Sequence, residues 1–301
     1  EREQICATPE AADHYRRKHP ERGMPFALPP LTPTEHQTLA RWLEGGAPYT
    51  PPPALPAAAL ARVADWERFF NGDSAKEQLV ARYIYEHWYA GHLHFAEAPG
   101  RYFELVRSRT PPGQAIAAVA TRRPFDDPGT PRVWYRLRLL ESTPVAKTFM
   151  PLKLDPQRME RLRGWFLKPT YQVAAVPGYD PQQASNPFAT FRDLPVDSRY
   201  RFLLDDAQFI MQGFMKGPVC RGQVALNVIQ DQFWVLFRAP SSTESKLVAR
   251  MLDADAPNLR LPAAHQRYVG LLAWRDYAKL EARHLQTKSR ALALVDDRHL
   301  P

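Results

Sequence analysis

Large apolar residues return every three or four positions over several stretches of this chain, and in the middle of the chain the period changes to two. The earliest helical pattern opens at Thr32-Pro33-Thr34-Glu35, a capping box with proline at the first helical position. It carries Leu39, Trp42 and Leu43 on one face and stops at Gly45-Gly46. A second helix is predicted over residues 56–70, where Leu60, Val63, Trp66, Phe69 and Phe70 fall near one face and Gly72 follows the end. Ser74-Ala75-Lys76-Glu77 is another capping box, and the helix behind it carries Leu79, Tyr83 and Trp88. Strands are predicted over residues 102–106, 115–121 and 133–139, the last alternating Val133, Tyr135, Leu137 and Leu139. Asp155-Pro156 starts a helix expected to run through Leu167, and Asp197 is placed to cap one ending at Lys216. Residues 224–237 fit either period, their Phe-Trp-Val-Leu-Phe tail favouring a strand, and residues 267–285 read as a charged amphipathic helix. The pattern predicts a helix-rich α+β protein with its sheet in the middle and no internal repeat.

Composition adds a boundary. The 30 prolines are about twice an average share and fall in clusters, Pro29-Pro30, Pro51-Pro52-Pro53 and Pro111-Pro112, that suit rigid extended connectors. The linker at residues 47–55 divides the chain into residues 1–50 and residues 51–301. A net charge of +8 favours an anionic partner such as a lipid head group, a fatty carboxylate or nucleic acid. The charge is spread, with no run of five or six like residues, which argues against nucleic acid. Cys6 and Cys220 are too few for a disulfide framework, and no apolar stretch reaches the length of a membrane-spanning helix.

Three groups of residues could carry chemistry. Cys220-Arg221 follows a Gly217-Pro218 break between two apolar segments; it reads either as a packed thiol beside an ion-paired arginine or as a reactive pair. Glu86-His87, His92 and His94 form a dense group that could offer an imidazole to a metal or simply hydrogen-bond in place. Arg107, Arg109, Arg122 and Arg123 could grip a carboxylate at the lip of an apolar groove, or pair with Asp126, Asp127, Asp205 and Asp206. No zinc-ligand spacing, Gly-rich phosphate loop or Gly-x-Ser-x-Gly elbow is present.

Long strings of this sequence resemble the bacterial fatty acid cis/trans isomerases. They are Arg82-Tyr-Ile-Tyr-Glu-His87, Leu105-Val-Arg-Ser-Arg-Thr-Pro-Pro-Gly113, Ala120-Thr-Arg-Arg-Pro-Phe-Asp-Asp-Pro-Gly129, Asn186-Pro-Phe, Asp197-Ser-Arg-Tyr-Arg-Phe-Leu-Leu-Asp-Asp206 and the segment around Cys220. The resemblance spans about residues 20 to 240. It implies a periplasmic c-type haem enzyme that converts cis double bonds of membrane-derived unsaturated fatty acids to trans, working at the membrane surface without ATP and stiffening membranes under stress. Gly23-Met24-Pro25 and the helix after it resemble the closing part of a small c-type cytochrome domain, which makes Met24 a candidate haem ligand; filling a small core is its other reading. The Cys-x-x-Cys-His attachment motif of haem c is absent from this sequence. Members of that family are much longer, so the chain, which begins at Glu1, is expected to be an inner piece that is inactive alone.

On this resemblance the candidate catalytic residues are Cys220, Arg221, His87 and His92, and the candidate substrate-binding residues are Arg107, Arg109, Arg122 and Arg123. Rotation about an unactivated double bond needs an electron acceptor such as haem iron, and the protein would supply a dry groove. Reversible addition of a Cys220 thiyl radical ranks below it, because a thiol beside Arg221 more readily becomes a thiolate. The competing readings are a non-catalytic lipid-binding module and an electron-transfer cytochrome relative.

Overall fold

The computed structural model describes residues 8–19, 31–49, 53–141, 150–207, 209, 250–251, 253–259 and 271–295. The chain forms two compact units, Glu1–Pro53 and Ala54–Pro301.

In the first unit α1 (Ala12–Lys18) and α2 (Pro33–Glu44) are described. Helix α2 opens on the capping box: Glu35 N–H donates to the Thr32 hydroxyl at 3.3 Å, and Thr32 N–H donates to the Glu35 carboxylate at 2.8 Å. It ends where Gly46 takes φ +84°, a conformation that costs other residues a steric clash. The stripe of Leu39, Trp42 and Leu43 stays 48%, 46% and 62% exposed, so it marks no core among the described residues.

The second unit begins with α3 (Ala57–Phe70) and α4 (Ala75–Trp88), followed by β1 (His92–His94), β2 (Tyr102–Ser108), β3 (Trp134–Leu139) and β4 (Pro151–Lys153). Then come α5 (Pro156–Leu162), a π-helical turn at Arg163–Leu167, α6 (Pro181–Ala184), α7 (Pro187–Thr190), α8 (Val196–Asp205) and the long α9 (Leu271–Val295). The strands lie in the order β3-β2-β1-β4, with β1 antiparallel to β2, β2 antiparallel to β3, and β1 parallel to β4. Helix and sheet in one unit give the α+β class.

Side chains alternate across β2, so Phe103, Leu105 and Arg107 turn toward α4 while Tyr102, Glu104 and Val106 are half-buried on the other face. Trp66, Phe70, Ile84, Trp88, Phe166 and Phe202 are buried to 1% or less. Each such side chain contributes on the order of 1.5–3 kcal/mol through the apolar surface it removes from water.

Two polar knots fix this core. On α3, Glu67 Oε1 accepts Leu137 N–H at 2.9 Å, while Asn71 at its C-terminal cap accepts Tyr135 N–H and donates to the Tyr135 carbonyl, both at 2.8 Å. Arg136 Nε lies 2.9 Å from Glu67 Oε2, an ion-pair distance although the oxygen is off the N–H axis. On α4, Trp88 Nε1 donates to Asp206 at 2.7 Å, and Arg158 pairs with the other oxygen of the same carboxylate.

Several sequence expectations change here. Residues 115–121 form no strand, only a single bridge from Ala118 to Ser108. The Thr110 hydroxyl donates to the Ala115 carbonyl and accepts Ala117 N–H, taking up groups a ladder would need. Asp197 does not cap α8, which starts after Pro195; its carboxylate instead accepts from Arg201 at 2.7 Å, one turn on. The helix expected through Leu167 relaxes into the π turn after Leu162. Residues 210–216 and 224–237 lie outside the described residues.

Candidate functional site

The capping box at Ser74 sets the phase of α4, and three residues of one face, Arg82, Tyr85 and Glu86, then fall together at spacings of three and four. Beneath them on the sheet is Arg107 of β2, in register with Tyr135 of β3. Tyr179 closes the cluster. Its ring lies 4.1 Å from the Arg82 guanidinium carbon and 5.9 Å from that of Arg107. Both arginines are 1% exposed.

Arg82 Nε donates to Glu86 at 2.8 Å, and its Nη1 donates to the Pro177 carbonyl at 2.7 Å and the Gly178 carbonyl at 3.2 Å. Arg107 donates to the Asp126 carbonyl at 2.7 Å and to the Thr121 hydroxyl, and stacks 5.6 Å from the Tyr85 ring. Arg82 Nη2 and Arg107 Nε are buried with no protein partner. Two guanidiniums face one carboxylate, so the cluster carries surplus positive charge in a place where charge is costly to leave uncompensated. Burial pushes the Glu86 carboxyl up, with Arg82 and Arg107 pulling it back. Burial also raises the Tyr85 and Tyr135 phenols, which remain neutral at physiological pH. Surplus cations and neutral phenols make this an anion-attracting site.

The four arginines read from the sequence part company. Arg107 enters the cluster. Arg109 turns outward and donates to the Ala118 carbonyl at 3.2 Å; Arg122 is exposed; Arg123 lies 3.8 Å from Asp126. Asp205 and Asp206 serve Arg158 and Arg161 rather than any of these. Arg82, Tyr135 and Tyr179 are not among the site residues expected from the sequence; a local signal for the first is the charged pair at positions 82 and 86 in a helix otherwise rich in large apolar residues.

The histidines are divided by the sheet. His87 sits in the aromatic core, 4.3 Å from the Tyr83 ring and 5.3 Å from Phe202, with Nδ1 donating to the Tyr83 carbonyl at 2.7 Å. His92 and His94 flank the buried Leu93 and project from the opposite face, beside Tyr102. No group of three metal-ligating side chains occurs among the described residues. Met24, Cys220 and Arg221 lie outside those residues.

With Nδ1 held by a carbonyl, His87 keeps Nε2 as a lone-pair donor, the arrangement an iron ligand uses.

Burial holds His87 below the ordinary imidazole value of 6.5, with the Tyr83 hydrogen bond opposing. The unfolded chain therefore binds that proton more readily than the fold does. The stability His87 contributes is whole above pH 6.5 and is lost as pH falls toward the folded-state value, by at most about 1.4 kcal/mol per pH unit. Urea unfolding at pH 7.5 and 5.5 checks this: His87→Gln should flatten the pH slope, leaving the part due to His94, which burial and Lys153 lower too. An unchanged slope would remove His87 as the titrating group.

The described second unit is thus a mixed α+β unit with a buried cationic cluster. A family model described as fatty acid cis/trans isomerase (CTI) matches residues 1–300, and the chain belongs to this family. Fatty acid cis/trans isomerisation is the reaction that membership implies. No curated protein and no solved structure matches the chain.

Proposed function

We propose that this chain is part of a haem-assisted isomerase that turns cis double bonds of membrane unsaturated fatty acids to trans in the periplasm, without ATP, as an adaptation to membrane stress. The observation that carries this reading is the family match over residues 1–300. The surplus charge of the Arg82–Glu86–Arg107 cluster supports it, because the substrate class is anionic at one end. Haem iron, when bound, supplies an electron-accepting centre that lowers the order of the carbon–carbon double bond. Met24 is the residue proposed, from the sequence, as one of its ligands. The remaining work belongs to the protein: to anchor the head of the chain, exclude water and keep the acyl chain bent at the reacting bond.

Product geometry tests the reading. The haem-loaded, full-length protein should convert palmitoleic acid to its trans isomer, and the haem-free 301-residue chain should not. Conversion by a haem-free preparation would overturn the haem-assisted mechanism. Unaltered cis substrate with the loaded protein would overturn the isomerase assignment and leave a lipid-binding module.

A further inference from the structure

We infer that the cavity bounded by α4 and by residues 130–133 and 176–179 is a carboxylate pocket for the head of an acyl chain, held by Arg82 and Arg132; this rests on the fatty acid reading above. The cavity measures about 250 Å3. Arg82 and Arg132 line it together with Tyr135 and Tyr179, and Phe70 and Val133 add apolar wall. Its described lining contains no Asp or Glu.

The two arginines share an unusual condition. Arg82 spends Nε on Glu86 and Nη1 on two carbonyls, while Nη2 is buried without a partner. Arg132 is held by its Nη2, which donates to the Gly72 carbonyl at 2.9 Å and lies 3.3 Å from Asp73, and it stacks 4.7 Å from the Trp134 ring. Its Nε is likewise buried without a partner. Asp73 is 96% exposed, so solvent screens most of what it gives Arg132. A single cavity is thus lined by two guanidiniums, each already oriented by other bonds, while the unpartnered Arg82 Nη2 and Arg132 Nε are covered by protein. Two fixed guanidiniums beside a cavity that no described Asp or Glu lines favour an anion there, and a carboxylate is an anion that guanidinium recognises well. The apolar wall beside them suits the first methylenes of a chain rather than a fully polar anion. Neither arginine belongs to the basic stretches around Arg109 and Arg122; the pocket is assembled by α4, the turn before β3 and the loop before α6.

Octanoate, which has no double bond to isomerise, separates binding from catalysis. Calorimetry on the 301-residue chain should show saturable octanoate binding, with methyl octanoate failing to compete. Arg132→Gln should weaken octanoate by about ten- to a hundredfold. Arg132 is the residue to change because its side chain is 28% exposed and its loss disturbs the fold less than loss of Arg82. Where Arg132→Gln fails to fold, Arg132→Lys, which keeps the charge and lacks the planar guanidinium, takes its place and should weaken binding by a smaller factor. Equal affinity in wild type and variant, equal binding of acid and methyl ester, or absence of octanoate binding would each overturn the pocket. Tighter binding of octyl phosphate than of octanoate would overturn the carboxylate assignment in favour of a lipid phosphate. None of these outcomes depends on product geometry, so an active isomerase with no octanoate site would retain the proposed function and lose this pocket.

Discussion

Glu67→Ala should lower the unfolding free energy of the second unit by about 3–5 kcal/mol, the range seen when one member of a buried ion pair is removed. Glu67 is 5% exposed and does two jobs at once: one oxygen accepts Leu137 N–H and the other faces Arg136, whose side chain is 9% exposed. Alanine leaves an amide without an acceptor and a guanidinium without its counter-charge. Arg136 keeps carbonyl partners at Pro111 and Gln114, which caps the loss rather than cancelling it. Glu67→Gln keeps an oxygen for Leu137 N–H and should cost less than half as much. In urea the midpoint should fall with an unchanged slope, and melting should come on the order of 10 °C earlier. A midpoint within error of wild type would show that Arg136 and the strand are held by the loop carbonyls alone.

Trp88→Ala should cost a similar about 3–5 kcal/mol, for a different reason. The indole is fully buried, its ring centre 5.9 Å from Phe202, 6.1 Å from Trp66 and 6.4 Å from Phe70, so truncation opens a cavity where α3, α4 and α8 meet. It also removes a hydrogen bond to the buried Asp206. Trp88→Phe separates the two parts. It keeps most of the packing and deletes the N–H, and should cost about 1–2 kcal/mol. Asp206 keeps Arg158 in that variant, and burial already raises its carboxyl against the pull of Arg158 and Trp88. A Trp88→Phe variant as unstable as Trp88→Ala would mean that the hydrogen bond, not the packing, anchors α8.

Local chemistry was legible in the sequence, and remote pairing was not. The capping boxes at Thr32 and Ser74 close within four residues, so their spelling sufficed to place the starts of α2 and α4. The alternation over 133–139 likewise named β3 to within a residue. By contrast, Trp88 finds Asp206 across 118 positions and Arg82 finds the Pro177 carbonyl across 95, and nothing in the neighbourhood of either residue announces its partner. Arg107 was picked out by its company of arginines. Its burial follows instead from strand alternation, which sends it inward with Phe103 and Leu105. The misread strand at 115–121 has the same lesson in reverse, because a single hydroxyl at Thr110 redirected backbone groups that the apolar pattern had assigned to a ladder.

The contacts of Glu67 and Asn71 with β3 also bear on how copies of the molecule treat one another. A carboxylate from α3 and a carboxamide from Asn71 just after it occupy the outward amides of Leu137 and Tyr135 and the Tyr135 carbonyl, the groups an incoming strand would seek. At the other margin β4 is three residues long, begins with Pro151 and ends with Lys153, which offers an added strand little to pair with. Among the described strands, sheet-to-sheet growth between molecules is thus opposed at one side by borrowed side chains and at the other by brevity and charge.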